Sequence, residues 1–463
     1  MHVHILGICG TFMAGVAAIA KAAGHSVTGS DANVYPPMST QLSRLGIALT
    51  EGWAPEQLNP APDIVVIGNA LSRGNPAVEA VLERGLPYTS GAEWLSRHAL
   101  AGQHVIAIAG THGKTTTASM TAWILEHAGL EPGFLIGGVP GNFDVTARAG
   151  GGRYFVVEAD EYDTAFFDKR AKFVHYRPRT LVLNNLEFDH ADIYADMDAI
   201  LWQVHQLLRT VPAGGRIIAN GADNDVERAL AMGCWTPVER FGVDGSFDWQ
   251  ASFDDAGQRR FSLARKGAEP CRGQWQLSGT YNLENALAAC AAAASAGVAL
   301  SDAVAAIGAF AGVKRRLERT ATVADIAVYD DFAHHPTAIR RTLEGMQQRY
   351  PGQRLVVALE PRSNTMKLGV HNQTLRASLA LADRAIVYRP TDLDDDFASS
   401  LADAGNVTVV DSYDALVDVL AEDARSGDHV VFMSNGGFGG VREKLTQRLR
   451  QAATVGDDAG DSV

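Results

Sequence analysis

Residues able to bind phosphate stand together at positions 110–116, which read Gly-Thr-His-Gly-Lys-Thr-Thr. Glycines let backbone N–H groups wrap a phosphate, a lysine places positive charge near the β and γ phosphates, and a threonine hydroxyl can hold Mg²⁺. The strict motif needs glycine where this chain has Ile108, but a buried strand, a glycine turn and a helix follow in the required order. An ordinary glycine turn would leave the Gly-Lys-Thr-Thr run unexplained. We expect ATP to contact Gly110, Thr111, His112, Gly113, Lys114, Thr115 and Thr116.

Acidic clusters follow two more apolar runs of the chain. Glu158 and Asp160 come directly after residues 154–157, and His190 closes a second cluster that follows residues 180–183. The carboxyl ends of parallel strands form the ligand crevice of doubly wound sheets, and Mg²⁺ prefers oxygen ligands. We therefore expect Thr115 and Glu158, with Asp160 as a further candidate, to hold Mg²⁺. A solvated acidic turn is the alternative, and the residues alone leave His190 open as a metal ligand or a structural histidine.

A second glycine turn, between an opening strand and an Ala-rich helix, predicts a Rossmann-like nucleotide site. The glycine spacing is not Gly-x-Gly-x-x-Gly, which disfavours a nicotinamide dinucleotide and an oxidoreductase. A pyrophosphate at the helix N-terminus, near Gly10, Thr11 and Gly15, fits this pattern, and close packing of helix on strand is the alternative. Asp31 follows the second strand, and Ser72 follows a later one.

Three blocks of alternating strands and helices predict an α/β protein with three domains. The predicted domains are a Rossmann-like domain at 1–98, a central P-loop ATPase-like domain with a parallel or mixed sheet at 99–313, and a Rossmann-like doubly wound domain at 314–452. Residues 453–463 are predicted to form a disordered tail, and residues 312–316 a hinge.

Composition excludes several classes of protein. The net charge of −13 would repel nucleic acid, so anionic substrates must meet local cations. The sequence has no long, strongly apolar stretch, which argues against membrane insertion. Its four cysteines are scattered without metal-site spacing. We expect a cytoplasmic protein.

The chain resembles the Mur ligases, ATP-dependent amide-forming enzymes of peptidoglycan metabolism, over nearly its whole length. The resemblance rests on the phosphate loop, on residues 158–161, on Asn-Leu-Glu-Asn-Ala at 282–286, and on Asp-Asp-Phe-Ala-His-His-Pro at 330–336. It implies that Asn285 contacts adenine, that Arg316 reaches phosphate, and that Asp331 orients the ribose or the closing domain. It implies that His190 binds a second Mg²⁺. The resemblance thus gives the catalytic set Lys114, Glu158, His190, Arg316 and Asp331.

Several relatives carry a carbamoylated lysine where this chain has Val204, so the geometry of a second metal stays open. His334 and His335 follow the Asp-Asp pair, and either could face the reactants or cap the next helix.

Residues 183–192, 360–367 and 433–440 resemble the branch that joins UDP-N-acetylmuramate to the tripeptide L-alanyl-γ-D-glutamyl-meso-diaminopimelate in peptidoglycan recycling. The resemblance implies an acyl phosphate formed with ATP and places Asp31 and Ser72 near uridine. Arg362 and Lys367 are candidates for the carboxylates of the peptide, because arginine forks suit carboxylates. The alternatives are a ligase that adds L-alanine and a non-catalytic ATP-binding switch.

Overall fold

The computed structural model describes the chain except for residues 33, 35–37, 192, 363–365, 367–371, 392, 394–396, 398–399, 402–404 and 461–463 and the side chains of 454–460. The described strands form three large sheets, one in each of three consecutive α/β domains, together with one small hairpin. This architecture confirms the predicted fold class. No helix in the described residues has the length and apolar character needed to cross a bilayer.

The first domain is a parallel five-stranded sheet with strand order β3-β2-β1-β4-β5. Strand order reverses direction between β1 and β4, so the turns that follow these two strands open one crevice. The strands are β1 (His2–Leu6), β2 (Ser26–Asp31), β3 (Ala48–Glu51), β4 (Ile64–Ile67) and β5 (Tyr88–Ser90), and the helices are α1 (Thr11–Ala22), α2 (Met38–Arg44), α3 (Pro76–Glu83) and α4 (Gly91–His98).

The central domain is built on a mixed ten-stranded sheet, whose order is β17-β16-β15-β14-β13-β12-β6-β9-β7-β8. Its strands are β6 (His104–Ala109), β7 (Gly133–Leu135), β8 (Ala147–Arg148), β9 (Tyr154–Ala159), β12 (Thr180–Leu183), β13 (Arg216–Asn220), β14 (Val238–Val243), β15 (Trp249–Phe253), β16 (Arg260–Arg265) and β17 (Cys271–Gln274). A separate hairpin joins β10 (Asp163–Ala165) to β11 (Asp168–Ala171). The helices are α5 (Lys114–His127), α6 (Met197–Leu208), α7 (Asn224–Ala231), α8 (Thr280–Ala294) and α9 (Leu300–Gly308).

Strand β6 lies between β9 and β12, and all three run parallel. Their residues are almost entirely buried because helices cover both faces of the sheet. Helix α5 is buried on most of its circumference, which fixes the direction in which the phosphate loop leaves the sheet. The carboxyl ends of β9, β6 and β12 therefore stand side by side, and each carries one of the sequence clusters predicted to bind the nucleotide and metal.

The third domain has a six-stranded sheet of order β18-β19-β23-β20-β21-β22, in which only β18 is antiparallel among the described strands. The strands are β18 (Glu318–Val323), β19 (Ile326–Asp331), β20 (Leu355–Leu359), β21 (Arg384–Tyr388), β22 (Val407–Val410) and β23 (His429–Met433), and the helices are α10 (Pro336–Arg349), α11 (Asn372–Leu379), α12 (Tyr413–Asp423) and α13 (Val441–Gly460).

The linker into this domain is bent by left-handed residues. Gly312, Arg315 and Leu317 have φ angles of +79°, +62° and +50°. Hydrogen bonds from Gly141 N to Gly312 O (2.9 Å) and from Lys314 N to Val139 O (3.0 Å) attach the linker to the central domain. Helix α13 extends past position 453, where a disordered tail was predicted to begin. That boundary, the other domain limits and the hinge stay predictions.

Candidate functional site

The phosphate loop connects β6 to α5 through two glycines in left-handed conformations. The φ angles are +139° at Gly110 and +81° at Gly113. A Cβ on Gly113 would lie 2.3 Å from Oδ1 of Asn285, so no larger residue fits between the loop and helix α8. The N–H of Thr111 donates to the carbonyl of Asn185 at 2.9 Å, which ties the loop to the turn after β12. The loop is thus held in place from two sides.

Lys114 is buried at the start of α5, with its ammonium directed back over the loop. Its Nζ donates to the Gly110 carbonyl at 2.7 Å and to Oε2 of Glu161 at 2.9 Å, and lies 3.6 Å from Oδ1 of Asp160. Burial lowers the pKa of Lys114, but the carboxylates of Glu161, Asp160 and Glu158 outweigh burial and leave the pKa above its ordinary value. The lysine therefore stays charged at neutral pH.

Thr115 is the meeting point of the loop, the end of β9 and the linker. Its hydroxyl donates to Oε1 of Glu158 at 2.8 Å and accepts from Nη2 of Arg316 at 3.0 Å. The other carboxylate oxygen of Glu158 accepts from the N–H of Gly137 at 2.6 Å. Burial, together with the nearby Asp160 carboxylate, raises the pKa of Glu158 above its ordinary range.

This donor set fits Mg²⁺. A buried carboxylate beside a threonine hydroxyl offers the hard oxygen ligands that this ion prefers. The raised pKa of Glu158 shows that the local environment disfavours its negative charge, which a cation would relieve.

His190 contacts the same acidic cluster from the turn after β12. Its Nε2 lies 3.2 Å from Oε1 of Glu161, and its ring packs against Tyr162 with centroids 4.3 Å apart. Burial lowers the pKa of His190, but the hydrogen bond to Glu161 outweighs it and the pKa is raised. Burial alone would raise the pKa of Glu161, yet Lys114 and His190 lower it to about 2. Glu161 is therefore an ionised bridge between Lys114 and His190.

The third domain contributes Asp331 to the opposite wall. This buried carboxylate accepts from the N–H of Ala333 at 2.9 Å and from the hydroxyl of Thr342 at 3.1 Å, and burial raises its pKa to about 6. The third domain contacts the central domain where Nη1 of Arg341 donates to Oε2 of Glu284 at 3.0 Å. The third domain is thus docked on the nucleotide site.

Glu187 joins the phosphate loop to the third domain. Its Oε2 lies 3.1 Å from Nε2 of His112 and 3.5 Å from Nδ1 of His335. Nδ1 of His335 also accepts from the N–H of Thr337 at 3.3 Å, so His335 caps helix α10. Nδ1 of His334 lies 3.0 Å from the Phe332 carbonyl, and both histidines border the cavity.

One cavity between the central and third domains is lined by most of the residues predicted for ATP and metal. Gly110 is not among the lining residues, and its carbonyl accepts a hydrogen bond from Nζ of Lys114. The predicted residues that line the cavity are Thr111, His112, Gly113, Lys114, Thr115, Thr116, Glu158, Asp160, His190, Asn285, Arg316 and Asp331.

The residues predicted for the sugar nucleotide lie apart from this cavity, at the crevice of the first sheet. Gly10 precedes helix α1, Thr11 begins it, and the carboxylate of Asp31 accepts from the N–H of Cys9 at 2.9 Å. Ser72 follows β4 on the other side of the crevice. Gly15 lies in α1, where a Cβ would approach Leu135 and Ala147 of the central domain at 3.2 Å.

Of the two residues predicted for the peptide, Arg362 follows β20 and packs against Gly436, where a Cβ would lie 2.2 Å from its Nη1. Lys367 lies outside the described residues. The roles of all predicted site residues stay predictions.

Sequence reasoning missed several residues at this site. Glu161 stood in a recognised acidic cluster, but its pairing with Lys114 left no signal in the spacing. The bridging position of Glu187 depends on contacts across domains, which the sequence does not display. Cavity residues that the sequence analysis did not single out include Asn185, Tyr281 and Arg341.

A phosphate loop at a doubly wound sheet, covered by one α/β domain and flanked by another with its own nucleotide-type crevice, defines a nucleotide-dependent enzyme of three domains. Family profiles match along the chain: "Mur ligase family, catalytic domain" at residues 2–103, "Mur ligase middle domain" at 108–293, and "Mur ligase, glutamate ligase domain" at 315–436. The chain belongs to the Mur ligase family. It is an ATP-dependent ligase, which confirms the resemblance inferred from the motifs.

Similarity to named relatives indicates a branch within this family. The chain is 50% identical to UDP-N-acetylmuramate–L-alanyl-γ-D-glutamyl-meso-2,6-diaminoheptandioate ligase of Escherichia coli K12, over 98% of this chain and 99% of the relative. It is 33% identical to UDP-N-acetylmuramate–L-alanine ligase of Burkholderia cenocepacia J2315, over 98% and 99%. The crystal structure of a murein peptide ligase from Psychrobacter arcticus is similar with a TM-score of 0.76 and 48% identity, over 97% and 99%.

Proposed function

We propose that this ligase joins UDP-N-acetylmuramate to the tripeptide L-alanyl-γ-D-glutamyl-meso-diaminopimelate, and so returns peptide to peptidoglycan synthesis. The convergence of Lys114, Thr115 and Glu158 with Asp331 of the third domain in one cavity carries the assignment of ATP-driven ligation. The acceptor follows from identity, which is 50% to the tripeptide ligase and 33% to the L-alanine ligase. A ligase for L-alanine is the less favoured alternative.

Thr115 and Glu158 are the residues that would hold Mg²⁺ beside the nucleotide, and His190 is the candidate for a second ion. Bound Mg²⁺ would supply positive charge at the γ-phosphate and at the carboxylate oxygen that attacks it. Val204 stands where several relatives carry the carbamoylated lysine, so a second ion here would depend on His190 and the neighbouring acids.

In the first step, a carboxylate oxygen of the lactyl group forms a bond to the γ-phosphorus, and the bond to ADP breaks. The protein's part in such a transfer is positioning and charge neutralisation. Lys114, kept protonated by Glu161, faces the transferring group from the loop. Arg316 reaches the same place from the linker through Thr115. The product is an acyl phosphate.

In the second step, the free amine of the tripeptide attacks the acyl carbon, and phosphate leaves. The amine must lose a proton, and the cavity offers His334 as an acceptor. Burial lowers the pKa of His334, so its ring is neutral at neutral pH and able to take a proton. His335 is instead engaged in capping α10.

The substrates would enter from different domains. The N-terminus of α1, with Gly10 and Thr11, suits the diphosphate of the sugar nucleotide, because helix N-termini present free N–H groups and positive potential. Asp31 and Ser72 would lie on the uridine side of that crevice. Arg362 of the third domain would receive a carboxylate of the peptide, and Asn285 and Asp331 would contact adenine and ribose.

Transfer of labelled oxygen tests this function. UDP-N-acetylmuramate with ¹⁸O in the lactyl carboxylate is incubated with ATP, Mg²⁺ and the tripeptide, and the products are weighed by mass spectrometry. The proposal expects UDP-N-acetylmuramoyl-tripeptide and one ¹⁸O in each phosphate released. Product with unlabelled phosphate would contradict the acyl phosphate, and the absence of product would contradict the proposed reaction.

A further inference from the structure

Lys172 is a buried lysine that has no role in the proposed mechanism. It follows the β10–β11 hairpin, and its backbone N–H donates to the carbonyl of Tyr162 at 2.9 Å. The residue is 6% exposed. In the part of the chain that the structure describes, its ammonium has no hydrogen bond and no carboxylate at ion-pair distance.

Two aromatic rings border the ammonium. Nζ of Lys172 lies 4.9 Å from the ring centroid of Phe12 and 5.6 Å from that of Tyr162. Cation–π contacts offset part of the loss of hydration, but they do not replace the hydrogen bonds of an ammonium ion. Burial lowers the pKa of Lys172, and the more distant Asp160 and Glu161 only partly oppose this effect.

Such a site is costly to maintain. An ammonium that loses most of its hydration without gaining hydrogen-bond partners destabilises the folded protein. The nearest acids are already engaged, since Glu161 bridges Lys114 and His190 and Asp160 lies 3.6 Å from Lys114. An anion from outside the chain would supply the charged partner that the described residues do not.

The position of Lys172 indicates which anion this is. Phe12 lies in the first turn of α1, next to Thr11 at the crevice of the first domain. Tyr162 packs on His190 and lines the nucleotide cavity. Lys172 therefore stands between the crevice proposed for the sugar nucleotide and the cavity proposed for ATP. A UDP-sugar that extends from the crevice towards the γ-phosphate would approach the two rings that border Lys172.

We propose that Lys172 is a substrate-binding residue whose ammonium receives an anionic oxygen of UDP-N-acetylmuramate. This inference rests on the proposed function. The oxygen belongs to the diphosphate or to the lactyl carboxylate, two groups that offer the same charge-assisted hydrogen bond.

Calorimetric titration of Lys172→Met tests the inference, because methionine keeps the volume and removes the charge. Lys169→Met is the matched control, since Lys169 lies on the same hairpin, pairs with Asp163 at 2.7 Å and is exposed. We expect Lys172→Met to weaken binding of UDP-N-acetylmuramate about tenfold or more, the usual effect of losing a hydrogen bond to a charged group. Lys169→Met and the affinity of either variant for ATP should stay near wild type.

UDP-N-acetylglucosamine, which has the diphosphate but no lactyl group, distinguishes the two oxygens. Equal weakening of the binding of both nucleotides by Lys172→Met supports contact with the diphosphate, and weaker binding of UDP-N-acetylmuramate alone supports contact with the carboxylate.

The melting temperature of the ligand-free variant should equal or exceed that of wild type, because an unpaired charge is removed. A lower melting temperature with unchanged affinity would overturn the inference and assign Lys172 a structural role. If wild type bound neither nucleotide, the proposed function itself would fail.

Discussion

Lys114 and Glu161 form a buried ion pair at the base of the phosphate loop, with Nζ 2.9 Å from Oε2. The same carboxylate reaches His190 through its other oxygen at 3.2 Å. Glu161 thus fixes the position of the lysine that would neutralise the γ-phosphate. The γ-phosphate of ATP would compete with the Glu161 carboxylate for the ammonium of Lys114. A cation bound at the same time would reduce the repulsion between these two negative groups.

Loss of the bridging carboxylate should destabilise the protein. Glu161→Gln keeps the shape but leaves Lys114 without its main counter-charge, and removal of one partner of a buried pair costs about 3 kcal/mol or more. We expect urea denaturation, followed by circular dichroism, to show this loss in the free energy of unfolding. Glu79→Gln is the control, because Glu79 pairs with Arg73 on the exposed surface and should change stability little.

The Thr115 hydroxyl should be required for turnover. Thr115→Val removes the oxygen that contacts both Glu158 and Arg316, whereas Thr115→Ser retains it. We expect kcat/KM for ATP to fall about 100-fold in the valine variant, a typical effect of deleting one group that stabilises a transition state. The serine variant should remain within a few-fold of wild type. Equal activity of the two variants would remove Thr115 from the proposed metal site.

Asp331 should make the protein less stable as pH rises from about 4 to 6. Burial raises its folded-state pKa to about 6, above the ordinary value of 3.8. In that window the folded state holds a proton that the unfolded state has lost, so its stability falls with rising pH. Asp331→Asn should remove this component, while KM for ATP rises if the ribose contact exists. Parallel pH profiles of the urea midpoint for wild type and variant would contradict the raised pKa.

Ligand binding should draw the third domain closer about the linker at residues 312–316. The linker combines left-handed residues with backbone hydrogen bonds to the central domain at Val139 and Gly141. Small-angle scattering with UDP-N-acetylmuramate and a non-hydrolysable ATP analogue should give a smaller radius of gyration than the free protein. An unchanged radius in the ternary complex would refute the hinge.

The sequence predicted best those elements in which long apolar runs end in chemically distinctive residues. Strands β6, β9 and β12 and the loops after them follow from such runs. A parallel sheet then brings the carboxyl ends of neighbouring strands together. In the third domain, the sequence pattern predicts strands near 325–330, 354–360, 385–389, 407–411 and 429–433, and the structure has them at 326–331, 355–359, 384–388, 407–410 and 429–433.

The sequence does not predict the short antiparallel strands at the edges of the sheets. Strand β18, Glu-Arg-Thr-Ala-Thr-Val, has little apolar alternation, so the sequence does not predict it. The sequence also does not predict the contacts of Glu161 with Lys114 and of Glu187 with His335, because tertiary structure brings these distant residues together. The sequence thus indicated which residues gather around the cavity, but not which neighbouring groups raise or lower their pKa values.

The central claim concerns the acceptor, and phosphate release measures it most directly. Purified protein with Mg²⁺-ATP and UDP-N-acetylmuramate is given either L-alanine or L-alanyl-γ-D-glutamyl-meso-diaminopimelate, and phosphate is followed over time. We predict sustained turnover with the tripeptide and only background with L-alanine. Turnover with L-alanine but not with the tripeptide would make the protein the biosynthetic ligase and contradict the proposal.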